Sequence, residues 1–147
     1  MRSLRHQNIM TLHEVYETDH SYYMILEMLE GGSLKDRIQN NEKMDSKSIS
    51  SIMVGILKGL CYVHQKGIMH RDIKPENILF RSKGNAENDV CIADFGLAAR
   101  IDESKYLFSR CGTPGYVAPE ILNLKEENSK YTEKCDLFSS GIIYHLM

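Results

Sequence analysis

The chain shows one strong helical repeat of hydrophobic positions. Between residues 49 and 63, apolar side chains recur at the three- and four-residue spacing of one helix face. Asp45 or Ser46 is a suitable N-cap, and Gly67 is a suitable C-terminal stop. The pattern therefore predicts one long helix between them. Its apolar positions are Ile49, Ile52, Met53, Ile56, Leu57, Leu60 and Val63.

Shorter apolar runs predict two β-hairpins. Thr11–Glu17 and Tyr22–Met28 are rich in β-branched, aromatic and aliphatic residues, and a polar, turn-like tetrapeptide separates them. Ile78–Phe80 and Val90–Ala93 flank a loop that is rich in turn-forming residues. Each pair of segments has the length and composition that are typical of two antiparallel strands.

The rest of the chain gives weaker patterns. Leu34–Ile38 is predicted to be a short helix, and a further helix is predicted to begin near Asp136. The segments Arg100–Arg110 and Ile121–Tyr131 are mixed and mostly polar, so we expect them to be irregular.

Composition and charge narrow the function classes. The 147 residues are 42% apolar and 26% charged, which is typical of one globular domain or a large piece of one. A net charge of −2 argues against a general nucleic-acid surface and against a polybasic membrane anchor. The most apolar segment, Ile49–Val63, contains Lys58 and is too short to span a membrane. None of the four cysteines forms a Cys-x-x-Cys pair, so reduced thiols in an intracellular, cytoplasmic protein are expected.

Four motifs carry the chemistry. The octapeptide His70–Asn77 reads HRDIKPEN, and it is followed by the triplet Asp94-Phe95-Gly96. The pentapeptide Gly112–Tyr116 and the triplet Ala118-Pro119-Glu120 come next. In type and order these motifs resemble the catalytic loop, metal-binding triplet and activation-segment end of eukaryotic-type serine/threonine protein kinases.

The resemblance implies a fold. A protein-kinase-like bilobal α+β fold is expected, present in part, with residues 1–28 as a remnant of the small-lobe sheet and hinge. Residues 29–147 would form an incomplete, mainly helical large lobe. The segment from Cys111 to Leu122 is most similar to the calcium/calmodulin-dependent kinase group.

The residue types suit phosphoryl transfer from ATP, which needs in-line positioning and cancellation of phosphate charge. Asp72 would accept or orient the proton of a substrate hydroxyl. Lys74 would place a positive charge beside the moving group. Asn77 and Asp94 are oxygen donors of the kind that Mg²⁺ prefers.

The resemblance assigns further roles. Thr113 would bridge Asp72 and Lys74. Leu26 would sit at the back of the adenine pocket, and Leu79 beneath the ring. The remaining expected nucleotide-binding residues are Glu27, Met28 and Leu29 of the hinge, Glu76 of the catalytic loop, and Ser33, where many relatives carry an acidic residue near the ribose.

Regulation is also implied. In kinases of this type, the arginine before the catalytic aspartate pairs with a phosphate on the activation segment, and here that arginine is Arg71. Ser109 is the best-placed acceptor, with Ser104 as the alternative. Calmodulin would act only through a segment beyond Met147.

Two alternatives stay open. The sequence holds no Gly-rich phosphate loop and no strand lysine for the nucleotide phosphates, so a truncated kinase domain with inefficient catalysis is the leading hypothesis. A non-catalytic kinase-like binding or regulatory module is the alternative. The expected partners are ATP with Mg²⁺ and a protein substrate, with neither nucleic acid nor membrane.

Overall fold

Short antiparallel strand pairs and helices make up the computed structural model, which describes residues 4–83, 89–103, 109–124 and 130–147. The strands pair as β1 with β2, β3 with β6, and β4 with β5. In chain order the elements are β1 (Leu12–Thr18), β2 (Ser21–Leu26), α1 (Leu34–Gln39), α2 (Ser46–Gln65), β3 (Ile68–Met69), a 3₁₀ turn (Pro75–Asn77), β4 (Ile78–Phe80), β5 (Val90–Ile92), β6 (Ala99–Arg100), α3 (Pro119–Leu122) and α4 (Lys134–Leu146).

Helix α2 confirms the helix predicted from the hydrophobic repeat. The Asp45 carboxylate caps its first turn by accepting hydrogen bonds from Ser48 N, at 2.8 Å, and Ser48 Oγ, at 2.7 Å. The helix ends at Gln65, and Gly67 follows in the left-handed conformation with a φ of +71°. Its buried face presents Ile52, Ile56, Leu60 and Val63 to the core.

Both predicted hairpins are present. Val15 lies opposite Met24 in the first, and Leu79 lies opposite Cys91 in the second. The α2 helix packs on the β4–β5 pair, so the core forms between one helix face and one small sheet. Other fully buried members of this core are Ile9, Leu34, Ile73, Ile78, Phe80, Val90, Ile92 and Ile143.

Four short elements fall where no element is predicted, namely β3, the 3₁₀ turn, β6 and α3. β6 lies at the start of the segment expected to be irregular and pairs with β3, two residues against two. α3 is a single turn that begins at Pro119, a residue well suited to a helix start. Two-residue strands and one-turn helices are too short to create a periodic pattern in the sequence. The α4 helix begins at Lys134, two residues before the predicted start at Asp136.

Two further expectations concern membranes and thiols. Within the described ranges, no helix has both the length and the apolar character that crossing a bilayer requires. Cys61, Cys91, Cys111 and Cys135 all carry free thiols. Burial raises the pKa of the Cys91 thiol to about 12, so this thiol stays protonated near neutral pH.

Two helical glycines make a matched test of the packing between α2 and its neighbours. A methyl group on Gly59 would lie 2.8 Å from the Asn8 carbonyl oxygen and 2.9 Å from Ile92 Cδ1. A methyl group on Gly141 in α4 would meet nothing within 4 Å. We predict that Gly59→Ala lowers the free energy of unfolding by about 1–3 kcal/mol, because overpacking outweighs the gain in helix propensity.

The control substitution, Gly141→Ala, is expected to raise the free energy of unfolding by about 0.5–1 kcal/mol, because only the propensity gain remains. Urea unfolding followed by circular dichroism measures both. Equal stabilisation by the two substitutions would show that α2 does not approach Asn8 this closely.

Candidate active site

Three polar side chains from two distant segments form a closed triangle. Lys74 Nζ lies 2.7 Å from Asp72 Oδ2 and donates a hydrogen bond of 2.8 Å to Thr113 Oγ1. Thr113 Oγ1 donates in turn to Asp72 Oδ1 at 2.6 Å. The triangle ties the loop after β3 to the segment before α3 and leaves a carboxylate beside a fixed ammonium.

The environment of Asp72 keeps its carboxyl ionised. Burial by itself would raise the pKa of Asp72, but the hydrogen bonds from Lys74 and Thr113 and the charge of Lys74 hold its pKa below the usual range. Asp72 is therefore an acceptor throughout the neutral pH range.

Asn77 connects this triangle to the second hairpin. Its Nδ2 donates to the Asp72 backbone oxygen at 2.9 Å and to Asp72 Oδ2 at 3.3 Å. Its backbone oxygen accepts from Ala93 N at 2.9 Å. Because Nδ2 is committed to Asp72, the side-chain oxygen Oδ1 remains as the donor atom that Asn77 can offer to a cation.

The residue after Ala93 is Asp94, which adopts a positive φ of 55°. Its Oδ1 accepts from Gly96 N at 3.1 Å, and this contact folds the backbone into a tight turn. A positive φ in a non-glycine residue is uncommon and concentrates at functional sites.

The His70 side chain contacts both the loop that carries Asp72 and the segment of residues 93–95. The His70 ring packs edge-on against Phe95, with ring centroids 4.8 Å apart. Its Nε2 donates to the Ala93 oxygen at 2.8 Å, while its Nδ1 accepts from Asp72 N at 3.2 Å. Burial lowers the pKa of His70, so the imidazole is neutral, in agreement with one donating and one accepting nitrogen.

A cavity of about 390 Å³ opens above these residues. One part of its wall is apolar, and the other part carries the carboxylate and amide groups described above. It is lined by Met10, Met24, Leu26, Glu76, Asn77, Leu79, Ala93, Asp94, Phe95 and Gly96.

The other expected nucleotide-binding residues do not line this cavity. Glu27 uses its carboxylate to accept from Thr11 N at 2.9 Å and to pair with Arg81. The Met28 side chain is 85% exposed. Leu29 is half-buried, and Ser33 caps α1 with its hydroxyl.

The loop conformation depends on one residue that the sequence analysis does not identify. Asp136 in the first turn of α4 is fully buried, and its carboxylate accepts from His70 N at 2.9 Å and from Arg71 N at 2.8 Å. His64 Nε2 lies 2.8 Å from the same carboxylate. Arg71 has a positive φ of 69°, and these bonds hold it there. A single aspartate at a predicted helix start more often signals a cap, so the available signal is weak.

Arg71 and Ser109, the two residues with an expected regulatory role, both lie within the described ranges. The Arg71 guanidinium donates to the Leu97 backbone oxygen at 2.6 Å and to Tyr131 Oη at 3.1 Å. It thus links the loop to the segments that carry Leu97 and Tyr131. Ser109 is partly buried, and Ser104 lies outside the described residues.

The donor set suits a cation that brings some of its own ligands. Among the described residues, no cluster of three His, Cys, Asp or Glu side chains could hold a metal ion. Asn77 and Asp94 together supply hard oxygen atoms on one cavity wall. Mg²⁺ commonly binds through one or two side chains, with water and phosphate oxygens completing its shell, and the site fits that pattern.

Comparison with known proteins identifies the family. The protein kinase domain model matches residues 1–147. Over those 147 residues the chain is 40% identical to the probable serine/threonine-protein kinase fhkC of Dictyostelium discoideum and 40% identical to the human serine/threonine-protein kinase DCLK3. It spans 24% of the length of the former and 22% of the latter. The chain belongs to the protein kinase domain family.

The anchoring role of Asp136 is testable by substitution. Asp136→Asn replaces one acceptor oxygen with a donor that faces backbone N–H groups, so we predict a loss of about 3 kcal/mol in the free energy of unfolding. Glu133→Gln is the matched control, because it removes a charge one turn away and none of these bonds; its effect should be much smaller. Chemical denaturation measures both variants, and equal losses would contradict the anchoring role.

Proposed function

We propose that this chain carries the phosphoryl-transfer site of a serine/threonine protein kinase. The reaction moves the γ-phosphoryl group of ATP to a Ser or Thr hydroxyl of a protein, with Mg²⁺. The observation that supports this most directly is the connection from the Asp72–Lys74–Thr113 triangle, through Asn77, to the cavity that Asp94 lines. The 40% identity to serine/threonine kinases supports the same reaction class.

The apolar and polar parts of the cavity wall predict how a bound nucleotide would be oriented. Leu26, Leu79 and Met24 are suited to contact a planar, apolar base. Asn77 and Asp94 would then lie at the phosphate end and hold Mg²⁺, which supplies charge neutralisation when bound. The adenine edge would meet hinge backbone groups of residues 27–29. Glu27 N already donates to the Thr11 oxygen at 3.0 Å, so this hydrogen bond fixes the start of the hinge.

The triangle would act on the protein substrate. The ionised Asp72 accepts a hydrogen bond from the attacking hydroxyl and orients it for in-line transfer. Lys74 places a positive charge beside the transferred group, where negative charge concentrates. Thr113 holds the other two side chains in register, since it bonds to both of them.

Three finer assignments belong to the same proposal. We place the protein with the calcium/calmodulin-dependent group on the similarity of Cys111–Leu122, with calmodulin as a candidate regulator, and we expect it to act inside the cell. We also propose Ser109 as a phosphorylation site whose phosphate would pair with Arg71, because its place in the activation segment suits that role. Ser33 would contribute little to ribose binding, because its hydroxyl is bonded to Asp36 at 2.6 Å.

The central step is testable at Asp72. Asp72→Asn keeps the size of the side chain and removes the charge that orients the hydroxyl, so we predict a fall of about 100-fold or more in phosphate transfer. The affinity for Mg²⁺–ATP should stay within about twofold, because Asp72 does not line the cavity. Transfer of radiolabelled phosphate to a Ser-containing protein measures the first quantity, and fluorescent-nucleotide displacement measures the second.

Asp102→Asn is the control for that experiment. Asp102 is an exposed carboxylate that pairs with Arg100, outside the site. It should leave both the transfer rate and the nucleotide affinity unchanged. A transfer rate in Asp72→Asn that equals the rate of this control would rule out the proposed role of Asp72.

A further inference from the structure

An ion pair stands beside the nucleotide cavity and is not explained by the transfer chemistry. Lys35 Nζ in α1 lies 2.9 Å from Glu76 Oε1 in the 3₁₀ turn. Both side chains are partly open to solvent, at 44% and 36% exposure. The pair therefore joins two elements at a place that an approaching molecule can reach.

Glu76 connects the pair to the cavity, and the charges of the pair act on the segment that carries Thr113. Glu76 follows Lys74 by two residues and lines the cavity next to Asn77. Burial raises the pKa of Tyr116, the Glu76 charge raises it further, and Lys35 and Lys74 lower it. Tyr116 thus lies within electrostatic reach of the pair, and Tyr116 belongs to the same segment as Thr113. The pair therefore borders the cavity and lies near the segment that carries Thr113, which would face the protein substrate under the proposed function.

The two oxygens of Glu76 differ in environment. Oε1 is taken by Lys35, whereas Oε2 is buried and has no hydrogen-bond partner among the described residues. A buried carboxylate oxygen without a partner is costly, and a cationic donor would relieve that cost. At Oε1 such a donor would displace Lys35 or share the carboxylate with it.

The neighbouring acid on α1, Asp36, adds a smaller electrostatic contribution at Lys35 than Glu76 does. Asp36 is next to Lys35, but its carboxylate accepts from Ser33 N at 2.8 Å and from Ser33 Oγ at 2.6 Å within the capping box. Those bonds lower the pKa of Asp36 and keep its carboxylate at the helix start. The charged groups that act on Tyr116 are Glu76, Lys35 and Lys74.

We propose that Lys35 is a specificity-determining residue that neutralises Glu76 and so withholds a binding site for cationic side chains of the protein substrate. This inference rests on the proposed kinase function. With Lys35 in place, a substrate with Arg near the phosphorylated hydroxyl gains no advantage over one with Ala. Without it, the Glu76 carboxylate attracts such an arginine.

The test uses a set of peptides that each contain one Ser. At each position around that Ser in turn, the residue is made Arg, Ala or Glu. Lys35→Met keeps the length of the aliphatic stem and removes the charge. We expect the binding preference for the best Arg peptide over its Ala counterpart to rise about threefold in Lys35→Met, as for a partly exposed charge pair. The added substitution Glu76→Gln should abolish that gain. Fluorescence anisotropy of labelled peptides measures the ratio without any need for turnover.

Lys47→Met is the matched control, because Lys47 is an exposed lysine on α2 and should leave the ratio unchanged. An unaltered ratio in Lys35→Met, or equal weakening of all peptides, would overturn the inference and show only a structural link between α1 and the 3₁₀ turn. Phosphate transfer by the unmodified chain is measured in parallel. Absence of transfer to every peptide would contradict the proposed function, while the anisotropy ratio would still decide the role of Lys35.

Discussion

The buried carboxylate of Asp136 is the constraint on which the site depends. It accepts hydrogen bonds from the backbone N–H groups of His70 and Arg71 in the loop, and His64 Nε2 also lies within hydrogen-bond distance of it. A buried, uncompensated carboxylate costs several kcal/mol, so these partners are needed for the residue to be there at all. The start of α4 adds a favourable helix dipole. One side chain thus fixes the helix and the loop relative to each other.

The effects of that constraint extend to the reacting groups. Because the loop is held at Arg71 in a left-handed conformation, the next residue, Asp72, meets Thr113 and Lys74. The same turn brings the His70 ring against Phe95 and the Ala93 oxygen. The loop and the end of the second hairpin are therefore positioned by a neutral histidine and by Asn77, and neither contact requires a bound ligand.

The sequence predicts the elements that a local pattern specifies. The α2 helix and both hairpins follow from apolar spacing, and the motif residues Asp72, Asn77 and Asp94 follow from resemblance. The β3–β6 pair does not, because four residues in two distant segments carry no period. Asp136 and the Lys35–Glu76 pair are also missed, since their roles depend on partners 41 to 72 residues away in the chain. Contacts of that range are created by the fold and leave no local signal.

Convergence on one nucleotide is the central claim, and paramagnetic broadening tests it most directly. Mn²⁺ accepts the same oxygen ligands as Mg²⁺ and broadens nuclear magnetic resonance signals near it. With substoichiometric Mn²⁺–ATP, the account predicts that the amide signals of Asp72, Asn77 and Asp94 broaden together. Signals of Ser50 and Tyr144, which lie in a separate groove between α2 and α4, should stay sharp. Broadening of Asp94 without Asp72, or of the α2–α4 groove first, would contradict it.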